Sequence, residues 1–160
     1  MNLQELLTKD NLDFISADSI EESVKELLAI LQQNEDVAKT PDVLESIIQN
    51  EIELPCAAGR GVAYPHGISS GIMNFKTVIG ISKSGIACES PDGLPCHIIV
   101  LTISPDTDVD DHIKFISLFQ KMISDSTIRA EIIDSDSIES ILEIIYAWNA
   151  QLLDPEDDDI

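Results

Sequence analysis

Residues His97–Ile103 read HIIVLTI, a run that is β-branched and nearly all apolar. A short run of this kind, ended here by Ser104-Pro105, is typical of a strand buried on both faces. Lys76–Ser82 (KTVIGIS) and the short piece Val62–Tyr64 predict further strands, separated by turn-rich sequence that includes a connection at Gly85–Pro95. The centre of the chain therefore predicts a buried sheet, with the segment after Tyr64 forming a loop.

The sequence on either side of these strands predicts helices. Apolar residues recur at helical spacing within residues 19–34, and a second helix is expected to begin at Thr40-Pro41. After the strands, the pattern predicts a helix at about 109–124, a short one at Thr127–Ile133 and a last one running from near 136–137 toward 152. Helices that surround a buried sheet indicate one α/β domain.

Capping residues and the chain end set the limits of this domain. Ser19 with Glu22 and Asp136 with Glu139 have the spacing of capping boxes, which mark helix starts. Residues 154–160 (DPEDDDI) read as an acidic, disordered tail. The expected organisation is therefore a single domain over residues 1–153 and a tail over 154–160.

Charge and cysteine content limit the classes of function. Thirty acidic and nine basic residues give a net charge of −21, which argues against nucleic acid and anionic membrane surfaces. The charge suits basic protein partners, or it serves solubility alone. Three cysteines without a CxxC pair indicate reduced thiols, and no leader or membrane-length apolar segment is evident. We therefore expect a cytoplasmic protein without direct membrane insertion.

Two histidines stand in sequences that suggest chemistry. His66 lies between Pro65 and Gly67 in GRGVAYPHG, where proline stiffens the backbone and glycine permits close approach. His112 lies near the start of a predicted helix, where amide N–H groups favour an anion and a neutral imidazole. Taken singly, each histidine is explained more simply as a turn residue or a solvated first-turn residue with no role.

Together the two segments resemble the fructose/mannitol-type enzyme IIA family of the phosphotransferase system, which includes a nitrogen-regulatory branch. The resemblance rests on G-x-G-[IV]-A-x-P-H at Gly59–His66 and on a later histidine that begins a Leu/Ile-rich helix at His112. The separation of 46 residues (112 − 66) and the preceding strand HIIVLTISP also match. The resemblance covers residues 1–150 or so and implies a mixed central β-sheet with helices on both faces.

The resemblance also implies a function. Such domains accept a phosphoryl group on the first histidine from the phosphocarrier protein HPr and pass it to an enzyme IIB partner or use it as a regulatory signal. Carried over, His66 is the acceptor and His112 its catalytic neighbour, with Arg60 and Gly67 as phosphate-binding candidates and no cofactor or metal. Imidazole is a competent nucleophile near neutral pH, and the lack of a GxxxxGK[ST] loop means that the phosphate comes from elsewhere.

Two positions depart from the family pattern. Active members usually carry an arginine about sixteen residues before the acceptor histidine, where this chain has Asn50, and Ile68 replaces a residue that is often polar or basic. Arg60 could compensate for the missing cation. The alternative function is therefore a degenerate enzyme IIA-like module that binds a regulatory target without efficient phosphotransfer.

Two other chemistries have weaker sequence support. A zinc site could draw on Cys96, His97, His66 and His112, although their spacing matches no standard zinc pattern. A hydrolase could use Ser69 or Ser70 with His66, or the carboxylates of residues 108–111, but no G-x-S-x-G elbow is present.

Overall fold

The computed structural model describes residues 1–34, 41–53 and 56–154. Within them the chain forms six helices and six strands. The helices are α1 (Leu3–Leu6), α2 (Ile20–Asn34), α3 (Pro41–Glu53), α4 (Asp110–Ile123), α5 (Ser126–Asp134) and α6 (Ile138–Leu153). The strands are β1 (Leu12–Phe14), β2 (Ala57–Gly59), β3 (Val62–Ala63), β4 (His66–Ser69), β5 (Lys76–Ile86) and β6 (Cys96–Pro105).

The six strands form one mixed sheet in the order β1-β5-β6-β3-β2, and β4 also pairs with β6. The β5–β6 pair is antiparallel, whereas β1 runs parallel to β5, and both β3 and β4 run parallel to β6. Strand β6 is the predicted HIIVLTI strand, and its apolar side chains are buried on both faces. It therefore forms the centre of the sheet.

Helices cover both faces of this sheet, as predicted. On one face, α2 and α3 pack residues such as Leu27 and Ile47 against Ile99 and Leu101 of β6. On the other, α1, α4, α5 and α6 pack against Ile98 and Val100. Because side chains alternate along a strand, neighbouring β6 residues contribute to two separate cores. Among the described residues, no helix is both long and apolar enough to cross a membrane.

Several local predictions are confirmed. Helix α2 begins where the capping box places it, and the Ser19 hydroxyl accepts from the Glu22 N–H at 3.1 Å. Helices α4 and α5 match the predicted ranges to within one residue. The predicted start of α3 at Thr40 and most of the acidic tail, residues 155–160, lie outside the described residues.

Other local predictions are wrong. His66 is not in a loop but begins strand β4, because residues 66–69 find hydrogen-bonding partners along β6. The Gly85–Pro95 connection is shorter than predicted, since Ile86 pairs with Cys96 and extends β5. Helix α6 is capped by Ser137, whose hydroxyl accepts from the Ser140 N–H at 3.2 Å, rather than by an Asp136 box.

Candidate functional site

Strand β4 displays His66 at the surface of the sheet. His66 lies opposite Thr102 in the parallel register with β6, so the two side chains share one face. Exposure alternates along β4, with His66 and Ile68 exposed and Gly67 and Ser69 buried. The imidazole therefore projects toward solvent on the face of the sheet that is covered by α4.

The hydrogen bond of the His66 ring fixes its neutral tautomer. Its Nδ1 lies 3.3 Å from the carbonyl oxygen of Tyr64. Because a carbonyl oxygen can only accept, Nδ1 carries the proton and donates. The neutral ring therefore keeps its lone pair on Nε2, the nitrogen that is available as a nucleophile.

His112 lies beside His66. It is in the first turn of α4, and the two ring centroids are 5.5 Å apart with an angle of 39° between the ring planes. The half-buried His112 ring also packs edge-on against Phe75 at 6.4 Å between centroids. Burial, and then the charge of His66, lower the pKa of His112 below its ordinary value of 6.5. His112 is therefore held neutral, the state that its helix position predicts, although burial is the main cause.

A buried hydroxyl orients the second imidazole. The Oγ1 atom of Thr102 lies 2.9 Å from Nδ1 of His112, and the Thr102 side chain is 1% exposed. The Thr102 hydroxyl can donate to an unprotonated Nδ1 or accept from a protonated one, and in either case the bond fixes the orientation of the ring. Strand β6 thus supports both histidines, one through strand pairing and one through this side chain.

Helix α3 supports the backbone of β4 from the opposite face. The Asn50 side chain donates through Nδ2 to the carbonyl oxygen of His66 at 3.0 Å. A Cβ atom on Gly67 would lie 2.7 Å from Cγ1 of Ile47, so a larger residue would push β4 away from the helix. Gly67 is therefore buried against α3. Asn50, which stands where active members of the family usually carry an arginine, contacts the backbone of His66 directly.

Arg60 lies elsewhere in the fold. Val62 pairs with Ile98 and His66 with Thr102, so Val62 and His66 are about 13 Å apart along the edge of β6, at ~3.3 Å per residue. Arg60 lies beyond Val62, in a left-handed turn with φ 59°, and its N–H donates to Asp92 Oδ2 at 2.6 Å. The structure thus brings His66 and His112 together but does not bring Arg60 to them.

The residues of the rival chemistries are dispersed. Ser69 is buried on the α3 face of β4, away from His66, and its hydroxyl accepts from the Gly71 N–H at 3.0 Å. His97 Nδ1 lies 2.8 Å from the carbonyl oxygen of Ser82. In the described part of the chain, no three His, Cys, Asp or Glu side chains are grouped so that they could hold a metal ion.

Sequence reasoning missed Thr102 and the contact made by Asn50. Thr102 had a signal, since it is a polar residue inside an otherwise apolar central strand, where a buried hydroxyl requires a partner. The Asn50 contact had none, because it depends on how α3 packs across β4.

The chain belongs to the family described as "Phosphoenolpyruvate-dependent sugar phosphotransferase system, EIIA 2", whose model matches residues 5–148. This family is the one that the histidine motifs indicated.

Similar proteins include a sugar-specific component and a nitrogen regulatory protein. The chain is 25% identical over 146 residues to the "PTS system fructose-specific EIIABC component" of Bacillus subtilis (strain 168), covering 91% of this chain and 23% of that protein. It is 26% identical over 103 residues to a "Nitrogen regulatory protein" of Bradyrhizobium diazoefficiens, covering 64% of this chain and 67% of the relative. The chain thus spans about a quarter of the length of the fructose-specific relative.

Solved structures share the fold. Nitrogen regulatory protein IIA-Ntr from Neisseria meningitidis superposes with a TM-score of 0.79 at 22% identity, covering 89% of this chain and 98% of that one. IIA mannitol from Escherichia coli superposes with a TM-score of 0.73 at 17% identity, covering 87% and 98%. Both likenesses confirm a single-domain mixed sheet flanked by helices.

Proposed function

We propose that this chain is a phosphohistidine carrier that accepts a phosphoryl group on Nε2 of His66 from HPr. It then passes the group to an enzyme IIB or uses it as a regulatory signal. The proposal rests chiefly on the tautomer of His66, whose Nδ1 donates to Tyr64 O and whose Nε2 lone pair is free beside His112.

The transfer needs positioning more than covalent machinery. The Nε2 lone pair of His66 attacks phosphorus as the bond between phosphorus and the donor nitrogen breaks, and that nitrogen recovers its electron pair. A neutral His112 with its proton on Nε2 donates to a phosphoryl oxygen and stabilises the charge there. Its lowered pKa favours the neutral ring, and its bond to Thr102 holds the ring orientation. We assign the Thr102 hydroxyl as the donor in that bond, which leaves the ring proton on Nε2.

The surroundings of the pair suit protein partners. Ile68, Val109 and Ile113, which adjoin the two histidines in sequence, expose 48%, 40% and 56% of their surface. Apolar side chains this exposed, next to a reactive group, are typical of a protein–protein contact. The net charge of −21 favours a partner with a basic face.

A relative in the structural comparison points the same way. The fold of enzyme IIAMTL from Escherichia coli, determined in a complex with phosphorylated enzyme IIBMTL, superposes with a TM-score of 0.74 at 15% identity, covering 88% of this chain and 97% of that one. An enzyme IIB is accordingly the partner class that we propose for donation of the phosphate.

One observation favours a second candidate, a regulatory binding module with slow transfer. The position at which the resembled active members carry arginine holds the neutral amide of Asn50, which is engaged with the His66 carbonyl. If this absence limits transfer, Asn50→Arg will raise the rate, because position 50 adjoins the His66 backbone and the longer arginine side chain can extend from there toward the phosphate. A binding module would instead retain its partner affinity after loss of His66.

The test is phosphorylation in a reconstituted system of phosphoenolpyruvate, enzyme I and HPr. Intact mass will show one acid-labile phosphate on the wild type and none on His66→Gln. His97→Gln is the matched control, since it removes a histidine whose ring is bonded to Ser82 and not to the pair. An unphosphorylated wild type, in the presence of phosphorylated HPr, would reject carrier function and leave the binding module.

A further inference from the structure

Two of the three cysteines are in contact at the β5–β6 connection. The Sγ atoms of Cys88 and Cys96 are 2.6 Å apart, although eight positions separate the residues in sequence. Cys96 begins β6 and pairs with Ile86, the last residue of β5, so the chain after Ile86 folds back onto the strand. An S–S bond of ~2.05 Å requires a further approach of only about half an ångström.

The two thiols differ in access. Cys96 is 0% exposed, whereas Cys88 is half-buried and open to solvent on one side. A solvent-borne oxidant can therefore reach Cys88 first, with Cys96 already in place behind it. An accessible thiol beside a second, resolving thiol is an arrangement in which a sulfenic acid condenses to a disulfide.

The pair is separate from the histidine site. Both cysteines pack with the core on the α2–α3 face of the sheet, whereas the two histidines lie on the face covered by α4. Cys96 also precedes Thr102 by six positions along β6, which corresponds to about 20 Å of strand. Chemistry at the sulfurs is thus distinct from chemistry at His66.

We propose that Cys88 and Cys96 form a dithiol site that hydroperoxides oxidise to a disulfide. The Cys88 thiolate attacks the peroxide oxygen and takes up HO as a sulfenic acid, with release of water after protonation. The Cys96 thiol then attacks the sulfenic sulfur, forms the S–S bond and releases a second water. Two thiols are oxidised and one hydrogen peroxide is reduced to two waters.

The disulfide would fix the segment between the strands. Asp92 in this segment accepts from the Arg60 N–H at 2.6 Å and from the Leu94 N–H at 3.1 Å. The Arg60 bond ties the connection to the Gly59–Gly61 turn that precedes β3, whereas the Leu94 bond lies within the connection. Oxidation would therefore restrict the motion of the β5–β6 connection and of the Gly59–Gly61 turn that is bonded to it.

Oxidation of the full-length chain by hydrogen peroxide tests the proposal. The protein is treated, unfolded under acid quench, alkylated and digested with trypsin. Lys83 and Lys114 bound a single tryptic peptide that contains Cys88 and Cys96, whereas Cys56 falls in another. We expect the alkylatable thiols to fall from three to one and the shared peptide to lose two hydrogen atoms, with recovery on dithiothreitol.

Two variants make the assignment specific. Cys56→Ser keeps the pair, and its two remaining thiols should both disappear on oxidation. Cys88→Ser alters the more exposed member and should keep both remaining thiols. A disulfide to Cys56, a Cys88 that proceeds to sulfinic acid with Cys96 still reduced, or three persistent thiols would each overturn the proposal.

Discussion

Replacing Thr102 with valine removes the hydroxyl that orients His112 while nearly preserving side-chain volume. The Thr102 Oγ1 atom lies 2.9 Å from His112 Nδ1 and is shielded from water. Without this partner, Nδ1 is free to hold the ring proton, and His112 loses the fixed Nε2–H that we assign to the phosphoryl oxygen. We therefore expect slower transfer from phosphorylated HPr to His66.

The size of the effect follows from the bond that is lost. A neutral hydrogen bond of this kind contributes about 1 kcal/mol net. If all of it supports the transition state, the rate constant falls about fivefold, since ~1.4 kcal/mol corresponds to a factor of ten. The substitution should lower the maximal transfer rate and leave the half-saturating concentration of HPr unchanged. Thr102 is buried beneath the site and so does not contact HPr.

Rapid-quench measurement of phosphate transfer provides the assay, and Thr77→Val is the matched control. Thr77 lies opposite Thr102 on β5, is also buried, and donates through Oγ1 to Leu101 O at 3.0 Å. Each variant loses one buried hydroxyl, but only the Thr102 hydroxyl is bonded to His112. Equal transfer rates for Thr102→Val and the wild type, or an equal loss of rate in Thr102→Val and Thr77→Val, would refute the positioning role. Nitrogen NMR of His112 reports the tautomer directly.

Three further outcomes test other parts of the site. The pKa of His112 is lower in the folded than in the unfolded chain, so the unfolded chain binds this proton more tightly and the free energy of unfolding should fall as the pH drops below the ordinary 6.5 toward the native pKa. Urea titrations at several pH values should show a shallower fall for His112→Gln. The same dependence of unfolding free energy on pH in both proteins would contradict this expectation. Gly67→Ala should lower the free energy of unfolding by about 1–3 kcal/mol, because the added methyl group overpacks against Ile47. The same substitution should lower it measurably less in an Ile47→Ala background. Strictly additive losses of unfolding free energy in the double variant would argue against the contact. Asn50→Ala should slow transfer about two- to fivefold and lower the free energy of unfolding by about 1 kcal/mol or less, because the carbonyl of His66 loses its hydrogen-bond donor. A transfer rate equal to that of the wild type in rapid-quench experiments would show that this bond does not position His66.

The long helices and the central strand could be read from the sequence because their signals are local. Helix α2 has a full apolar stripe and a Ser19–Glu22 cap, and β6 is apolar on both faces. Strand β4 has neither signal, since His66–Ser69 includes a glycine and two polar residues. It is a strand only because β6, thirty-six positions further along the chain (102 − 66), provides its partners.

Short elements at the chain start were missed for a similar reason. Strand β1 has only three residues, Leu12–Phe14, and pairs in parallel with Ile79–Ile81 of β5. Parallel pairing to a distant segment leaves little trace in so short a run. The cap of α6 was assigned to Asp136 instead of Ser137, because both are acceptable cap residues.

The site was predictable in part. Its two histidines came from a motif and a spacing, and the structure places their rings in contact. Their supports could not be read in the same way, since Thr102 reaches His112 across β6 and α4, and Asn50 reaches His66 across α3 and β4. Such contacts depend on packing between elements, which sequence spacing does not encode.

Proton–phosphorus and proton–nitrogen NMR on freshly phosphorylated protein will identify the nitrogen that carries the phosphate. We expect one phosphoryl group on Nε2 of His66, because Nδ1 donates to the Tyr64 carbonyl oxygen. Phosphate on Nδ1 of His66, or on His112 or His97, would show that His66 Nε2 is not the acceptor.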